Sequence, residues 1–297
     1  MHKRWPTHFL LAAYMVLTLA GAAPAGAAPA APRLPTATAV PPPRASEPEA
    51  AAIPAGNTAI RSFQAAKRHL TILYADHAQT LYSGCAFDLD RQVDTADCGY
   101  RQQREGRRAH SLEWEHVVPA EAFGRGFAAW QVGHPDCIDR RGRLFRGRQC
   151  AAKVDLTFRR IEADMYNLYP EIGELNNLRA NIPMGRVEVS RYDFGTAGVR
   201  LGEGHFQPRQ EVLGDVARTY LYMDAAYPML QLLNGSDRAL YQLWSAADPV
   251  DAWECERARR IERVQGNRNL LVATPCSRAG LNALRVTTVE DAPLAAE

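Results

Sequence analysis

The sequence predicts an α+β fold that is rich in helices and contains a small sheet. Apolar residues recur at helical spacing in several segments, which favours amphipathic helices. Around residues 113–118 the apolar alternation is too short to establish a strand, but the β-branched residues allow one. About 240 residues follow the Ala- and Pro-rich N-terminal region, which is enough for one domain or two small ones.

The first predicted helix covers residues 58–82 and begins at a cap supplied by Asn57 or Thr58. Its apolar residues lie three or four positions apart, as on one face of a helix: Ile60, Phe63, Ala66, Leu70 and Leu73. The later helices are predicted over residues 154–167, 209–226, 236–247 and 251–265, and the first of these ends before Tyr169-Pro170.

The N-terminus predicts a secretory signal peptide over residues 1–27. Lys3 and Arg4 precede an apolar run from Phe9 to Ala20, and Ala25-Gly26-Ala27 offers a cleavage site. A membrane-spanning helix needs about 20 apolar residues, and this run is shorter. We therefore expect no membrane association and a periplasmic or secreted mature protein.

Residues 28–56 predict a disordered linker because they are dominated by Ala and Pro, with Pro41-Pro42-Pro43 at the centre. Such a segment cannot bury enough apolar surface to offset its chain entropy. The folded domain is then predicted over residues 57–281, and residues 282–297 form a short C-terminal tail.

The even number of cysteines favours disulfides in an exported chain. Pairing in sequence order would close three short local loops, although the sequence alone leaves other connectivities open. A zinc site would need closely spaced Cys-x-x-Cys pairs, which the sequence lacks. The six candidates are Cys85, Cys98, Cys137, Cys150, Cys255 and Cys276.

The net charge is uninformative, but its distribution is not. Without Lys3 and Arg4 the chain has 33 basic and 33 acidic side chains, so the total charge does not indicate a nucleic-acid-binding protein. Basic residues nevertheless cluster on both sides of residues 113–118, and such clusters either contact phosphate or form a solvated surface. They are Arg101, Arg104, Arg107 and Arg108 before the strand, and Arg140, Arg141, Arg143, Arg146, Arg148, Lys153, Arg159 and Arg160 after it.

A Glu-His pair in the predicted strand is the main chemical signal. Glu115 precedes His116 within Glu113–Ala120, so a hard oxygen ligand stands beside an imidazole that can activate water. The segments Glu162–Leu168 and Gly173–Asn181 follow and add acidic, amide and arginine side chains. Together these groups predict metal-assisted attack on a phosphodiester.

Ordered motifs over residues 60–276 resemble the endonuclease I family of periplasmic and secreted bacterial nucleases. Motifs of this length in this order are too specific to coincide by chance. The earlier ones are Thr80–Cys85, Cys98-Gly99-Tyr100, Glu113–Ala120, Glu162–Leu168 and Ile172–Asn181, and the later ones are Ala217–Met223, Pro249–Cys255 and Gln265–Asn269.

The resemblance implies a ββα-metal (His-Me) finger enclosed by helices. It implies that His116 is the general base and that Glu115 and Asn176 are the two protein ligands of one Mg²⁺, with Mn²⁺ or Ca²⁺ as substitutes. Mg²⁺ suits such a site because it prefers oxygen ligands and keeps several waters. Asn177 and Asn167 are alternative ligands. The implied products carry 5′-phosphate and 3′-hydroxyl ends.

The resemblance also implies roles for an acidic residue and several arginines. Glu162 matches an acidic position of the family's site, although a helix salt bridge is the simpler interpretation. Arg148 is the first choice for the arginine that supports the transition state, and Arg143 is the second. We expect Arg143, Arg146 and Arg179 to contact nucleic acid, although Arg179 could instead only brace the finger.

The predicted function is a monomeric, metal-dependent endonuclease that cleaves DNA without sequence specificity, with RNA as a second candidate substrate. One rival is a nucleic-acid-binding protein that has lost turnover, but the base and both ligands are present. A zinc peptidase would carry His-Glu-x-x-His and a serine hydrolase Gly-x-Ser-x-Gly, and the sequence contains neither.

Overall fold

Mixed helices and two small sheets form the described part of the chain, residues 56–281 of a computed structural model. This confirms the α+β class. The α-helices are α1 Phe63–Leu73, α2 Ala120–Gly124, α3 Ala128–Gln131, α4 Arg148–Val154, α5 Leu156–Glu162, α6 Gly173–Arg179, α7 Leu213–Ala226, α8 Gly235–Ala247, α9 Ala252–Gln265 and α10 Leu270–Arg278. The strands are β1 Leu112–His116, β2 Leu168–Ile172, β3 Arg200–Gly202 and β4 His205–Gln207. Short 3₁₀ helices cover Arg107–Ala109, Met165–Asn167, Gln210–Val212 and Pro228–Leu230.

The sheet that positions the cleft consists of β1 and β2 in antiparallel pairing. His116 lies opposite Leu168, and Trp114 lies opposite Pro170. No strand is predicted from the sequence at the position of β2, which contains Pro170. A two-stranded sheet leaves an open edge on each strand, where proline costs no ladder hydrogen bond. Helix α6 begins at Gly173, directly after β2, and packs against β1 and β2.

Helices enclose this unit and form the hydrophobic core. Leu70 of α1, Phe158 of α5 and Ile261 of α9 are fully buried in one continuous cluster. Helix α7 packs on α8 and α9 packs on α10. A buried ion pair joins α7 to α9, since Arg218 donates to both carboxylate oxygens of Glu254 at 2.7 and 2.6 Å.

The six cysteines form three disulfides in sequence order, and this confirms the expectation of disulfide bonds. The pairs are Cys85–Cys98, Cys137–Cys150 and Cys255–Cys276. The second pair closes the arginine-rich loop directly before α4, and the third joins α9 to α10.

The first helix is shorter than predicted at both ends. Its cap is Ser62, whose hydroxyl accepts a hydrogen bond from the backbone of Ala65 at 3.2 Å. Asn57 does not cap it, because its side chain accepts from Ile60 at 2.9 Å and donates to the Arg160 carbonyl at 2.8 Å. The helix ends after Leu73 because Tyr74 leaves helical geometry.

The prediction of one continuous helix over residues 154–167 is also wrong, because the structure divides this segment. Asp155 is extended and separates α4 from α5, and its carboxylate caps α5 by accepting from Phe158 at 2.9 Å. Helix α5 ends at Glu162, and a 3₁₀ turn follows. The three later predictions match the structure closely, since α7, α8 and α9 begin and end within a few residues of the expected positions.

The predicted signal peptide, residues 1–27, and C-terminal tail, residues 282–297, lie outside the described residues, as does the linker except Gly56. Among the residues described, no helix is long and apolar enough to cross a membrane.

Candidate active site

A cleft of about 440 Å³ opens between two groups of elements. One side, here called the β wall, consists of β1 and α6. The other side, the helical wall, consists of α1 and the start of α4. The polar residues that line the cleft are Lys67, Arg91, Arg108, Glu113, Glu115, His116, Arg148, Asn176, Asn177 and Asn181. The three central residues that the motifs singled out, Glu115, His116 and Asn176, therefore share one cavity.

His116 lies at the end of β1, and its ring has a defined orientation. Its Nε2 lies 2.8 Å from the backbone carbonyl oxygen of Glu162. Because a carbonyl oxygen only accepts, Nε2 carries the proton and Nδ1 carries the lone pair. Among the described residues, Nδ1 has no hydrogen-bond partner. The Phe63 ring packs against the imidazole with centroids 4.8 Å apart.

The environment of His116 favours its neutral form. Burial lowers the pKa of His116 to about 3, and the positive charge of Arg148 contributes to the decrease. A neutral imidazole with an unoccupied Nδ1 can accept a proton. The ring is thus in the protonation state that a general base requires at neutral pH.

Glu115 presents one carboxylate oxygen to the protein and leaves the other without a protein hydrogen bond. Its Oε1 accepts from Arg179 at 2.9 Å and from the Tyr82 hydroxyl at 3.3 Å. No described residue donates to Oε2. Burial raises the pKa of Glu115 to about 7, since desolvation outweighs the ion pair with Arg179.

The amide of Asn176 is oriented by a neighbouring carboxylate. Its Nδ2 donates to Glu113 at 3.0 Å, which leaves Oδ1 as the free oxygen. Arg108 holds Glu113 through two hydrogen bonds of 2.8 and 2.6 Å. Hydrogen-bond partners of this kind, which do not contact the metal themselves, fix the orientation of a metal-ligating group.

Arg148 and Glu162 connect the helical wall to the imidazole. Arg148 is the first residue of α4, and its Nε donates to the Glu162 carboxylate at 2.6 Å. Its side chain remains 43% exposed and lies over the Phe63 ring at 5.2 Å. Glu162 thus orients His116 with its backbone and Arg148 with its side chain, while its own carboxylate is buried.

Arg179 does not have the position that a contact with nucleic acid requires, and that prediction is wrong. Its side chain is 0% exposed. It donates to Glu115, to the carbonyls of His116 and Val117, and to the Tyr220 hydroxyl. Arg179 therefore braces the β wall, as the alternative interpretation expected.

The remaining predicted residues divide between the cleft and the surface. Arg143 is exposed and pairs with Asp139 at 2.8 Å, and Arg146 is exposed and donates to the Gln131 carbonyl at 3.1 Å. Neither lines the cleft, whereas Arg148 does. Asn167 is excluded as a metal ligand because its buried amide is used by both backbone groups of Val118. Asn177 lines the cleft and is exposed.

The donor set of the cleft fits a hard cation with a largely open coordination shell. Glu115 Oε2 and Asn176 Oδ1 are oxygen donors without protein partners, which suits Mg²⁺. Among residues 56–281, no group of three or more His, Cys, Asp or Glu side chains could enclose a metal ion. A zinc site built from such ligands is therefore not indicated in this part of the chain.

Comparison with known proteins identifies the family to which this site belongs. The model of the endonuclease I family matches residues 57–276, which is most of the chain. The chain belongs to the endonuclease I family. Its resemblance to that family in the sequence motifs is thereby confirmed.

Relatives of this family member cover most of its length. Two extracellular deoxyribonucleases of Aeromonas hydrophila are 37% and 38% identical to it, over 73% and 75% of this chain and 91% and 93% of their own length. A periplasmic deoxyribonuclease of the same organism is 36% identical over 73% of this chain and 87% of its own length.

Sequence reasoning missed several residues of the cleft in this endonuclease I family member. Phe63 was interpreted only as a core residue of α1, and Lys67 and Arg91 were not singled out. Phe63 and Lys67 are four residues apart on a helix, so they share a face. That spacing was the available signal, but nothing in the sequence places this face beside His116.

Proposed function

We propose that this protein is a metal-dependent endonuclease that hydrolyses DNA without sequence specificity and leaves 5′-phosphate and 3′-hydroxyl ends. In this proposal β1, β2 and α6 are the ββα-metal finger. The relatives named as deoxyribonucleases support DNA as the substrate, and their extracellular and periplasmic names support export of this chain.

The observation that carries the proposal is the orientation of His116. Its Nε2 donates to the Glu162 carbonyl, so Nδ1 is the hydrogen-bond acceptor of this cleft-lining ring. A nucleophilic water that loses its proton to Nδ1 becomes a strong nucleophile for attack on phosphorus. Burial keeps the imidazole neutral and ready for this step.

Glu115 and Asn176 would hold the Mg²⁺ ion through their free oxygens. When bound, the ion neutralises charge that develops on the phosphoryl oxygens and stabilises the departing 3′ oxygen. The chain contributes the orientation of both donors, since Arg179 fixes Glu115 and Glu113 fixes Asn176.

Arg148 would stabilise negative charge at the scissile phosphate. It lines the cleft beside His116 and retains exposed N–H groups while its Nε is fixed by Glu162. A guanidinium held in advance of the reaction stabilises the transition state without reorganisation. Contacts of cleft cations with phosphate carry no base information, which accounts for the absence of sequence specificity. RNA contains the same phosphodiester and is an additional substrate in this proposal.

The deciding experiment is cleavage of supercoiled plasmid by oxidised mature protein with Mg²⁺ or with EDTA. We expect nicking and degradation with Mg²⁺ and neither with EDTA. His116→Ala should lower the rate by about 10³-fold, in the range reported for loss of a general base. His134→Ala is the matched control, because His134 is outside the cleft residues and partly exposed.

Circular dichroism of His116→Ala establishes that the variant is folded. Equal cleavage by His116→Ala and the parent protein would contradict the assigned base. Binding of DNA without any cleavage by the parent protein would contradict the nuclease function itself.

A further inference from the structure

Lys67 differs from the other cations of the cleft. Arg148 donates to Glu162, Arg108 to Glu113, and Arg91 to the Leu112 carbonyl at 2.6 Å. Among residues 56–281, the Lys67 ammonium has no hydrogen bond and no ion pair, and its partner is the face of the Phe63 ring at 4.8 Å. A positive charge that lines a cleft without an anionic partner is available for an anionic ligand.

The position of Lys67 is fixed by aromatic packing. Helix α1 begins at Phe63, whose ring contacts both the His116 imidazole and the Arg148 guanidinium. Lys67 lies one turn further along the same helix and is half-buried. Its ammonium lies over the Phe63 ring. The same ring therefore contacts the proposed base, the proposed transition-state arginine and this lysine.

Lys67 lies close enough to the proposed base to reach a phosphate next to the one that reacts. The Lys67 ammonium and the His116 ring centre each lie 4.8 Å from the Phe63 ring centre. The ammonium therefore lies no farther than the sum of the two, about 10 Å, from the imidazole centre. One strand of B-form DNA carries a phosphate about every 3.4 Å along the helix axis. Neighbouring phosphates of the cleaved strand are thus within reach of Lys67.

We propose that Lys67, supported by Phe63, forms a binding subsite for a phosphodiester next to the scissile one in the same strand. The inference rests on the proposed function for the identity of the reacting phosphate. Lys67 would contribute to binding of the polynucleotide and not to the bond-breaking step, because the proposed function assigns the reacting phosphate to Arg148 and the His116 imidazole.

The first test measures binding in the inactive His116→Ala background, by fluorescence anisotropy of a labelled DNA duplex over a series of salt concentrations. Loss of one phosphate contact lowers the slope of log K against log salt by about 0.9. We expect this decrease and an affinity about tenfold weaker for Lys67→Met. Lys67→Arg should retain the slope because it retains the charge.

Lys153→Met is the matched control. The described residues contain two lysines, and Lys153 lies outside the cleft, where it contacts the Phe145 ring and the Asp136 carbonyl. Its removal should leave the salt dependence unchanged. A slope that is equal in Lys67→Met and the His116→Ala parent would overturn the subsite.

The second test separates a neighbouring phosphate from the scissile one. In the active enzyme, Lys67→Met should raise KM for an oligonucleotide by about tenfold and leave kcat unchanged. A decrease in kcat would instead assign Lys67 to the reacting phosphate and overturn the proposal. If the parent protein cleaves no DNA, the proposed function fails, while the binding measurement still decides whether Lys67 contacts phosphate.

Discussion

The two walls of the cleft use their basic side chains in opposite ways. In the β wall, Arg179 is 0% exposed and its guanidinium donates to four oxygen atoms. In the helical wall, Arg148 is 43% exposed and donates to one carboxylate, and Lys67 donates to none. The β wall therefore fixes geometry, whereas the helical wall leaves charge free for a substrate.

The difference has an energetic basis. A buried charge must be paired and hydrogen-bonded, and the two terminal nitrogens of Arg179 therefore donate to oxygens of the protein. A partly exposed cation remains hydrated until a ligand replaces the water, so the fold does not need to provide a partner for Lys67. Variants that exchange or remove these roles test the comparison.

The largest effect is expected for the buried arginine of the β wall. Arg179→Met removes the partner of Glu115 and the donors to two carbonyls, and it should lower the free energy of unfolding by about 3–5 kcal/mol. Urea denaturation measures this change. Arg143→Met, in an exposed pair, should leave the denaturation midpoint unchanged. Equal midpoints for Arg179→Met and the parent protein would show that the β wall does not depend on this pair.

The next effect distinguishes the two arginines that the sequence left as alternatives. Arg148→Ala should lower kcat by about 10²-fold, the usual loss for one fixed donor to the transition state. Arg143→Ala should leave kcat unchanged because Arg143 does not line the cleft. Steady-state cleavage of an oligonucleotide checks both, and a larger loss for Arg143→Ala would reverse the assignment.

A smaller effect is expected at the residue that orients the proposed amide ligand. Glu113→Ala releases Nδ2 of Asn176 and should weaken Mn²⁺ binding by about 10-fold to 100-fold, as for other partners of metal ligands. Titration calorimetry measures the affinity without turnover. Glu121→Ala serves as the control, since Glu121 pairs only with Arg125 on the surface. Unchanged Mn²⁺ affinity in Glu113→Ala would contradict the orienting role.

The smallest effect concerns pH. Burial raises the pKa of Glu115 to about 7, so the carboxyl group is protonated below that pH and ionised above it. Because a metal ligand must be ionised, Mn²⁺ affinity should increase as pH rises through 7, with release of about one proton. The pKa of His116, about 3, keeps that ring neutral over the same range.

Calorimetry in two buffers of different ionisation enthalpy measures the released proton. Glu115→Gln has no carboxyl group to titrate and should remove the pH dependence of any remaining binding. A proton release of zero near pH 6 in the parent protein would exclude Glu115 as a protonated ligand.

The sequence predicted the long helices well and the short elements poorly. Helices α7, α8 and α9 have amphipathic spacing over three or more turns, and Asn234 and Asp251 cap the last two. Helix α6 and strand β2 are too short to show a periodic apolar pattern in the sequence. Tertiary contacts stabilise both elements. The end of α1 was overestimated because apolar spacing continues where the backbone already turns at Tyr74.

The sequence by itself determined the class of the fold and the presence of disulfides. It also singled out Glu115, His116 and Asn176, which lie in continuous motifs and share one cleft. Only the tertiary structure decided which arginine is buried and which faces the cleft. Arg179 and Arg148 are the same residue type, so the sequence does not distinguish them. Their roles depend on how far each side chain is buried. The same holds for Lys67, which lies near His116 because the tertiary structure packs the Phe63 ring of α1 against the imidazole.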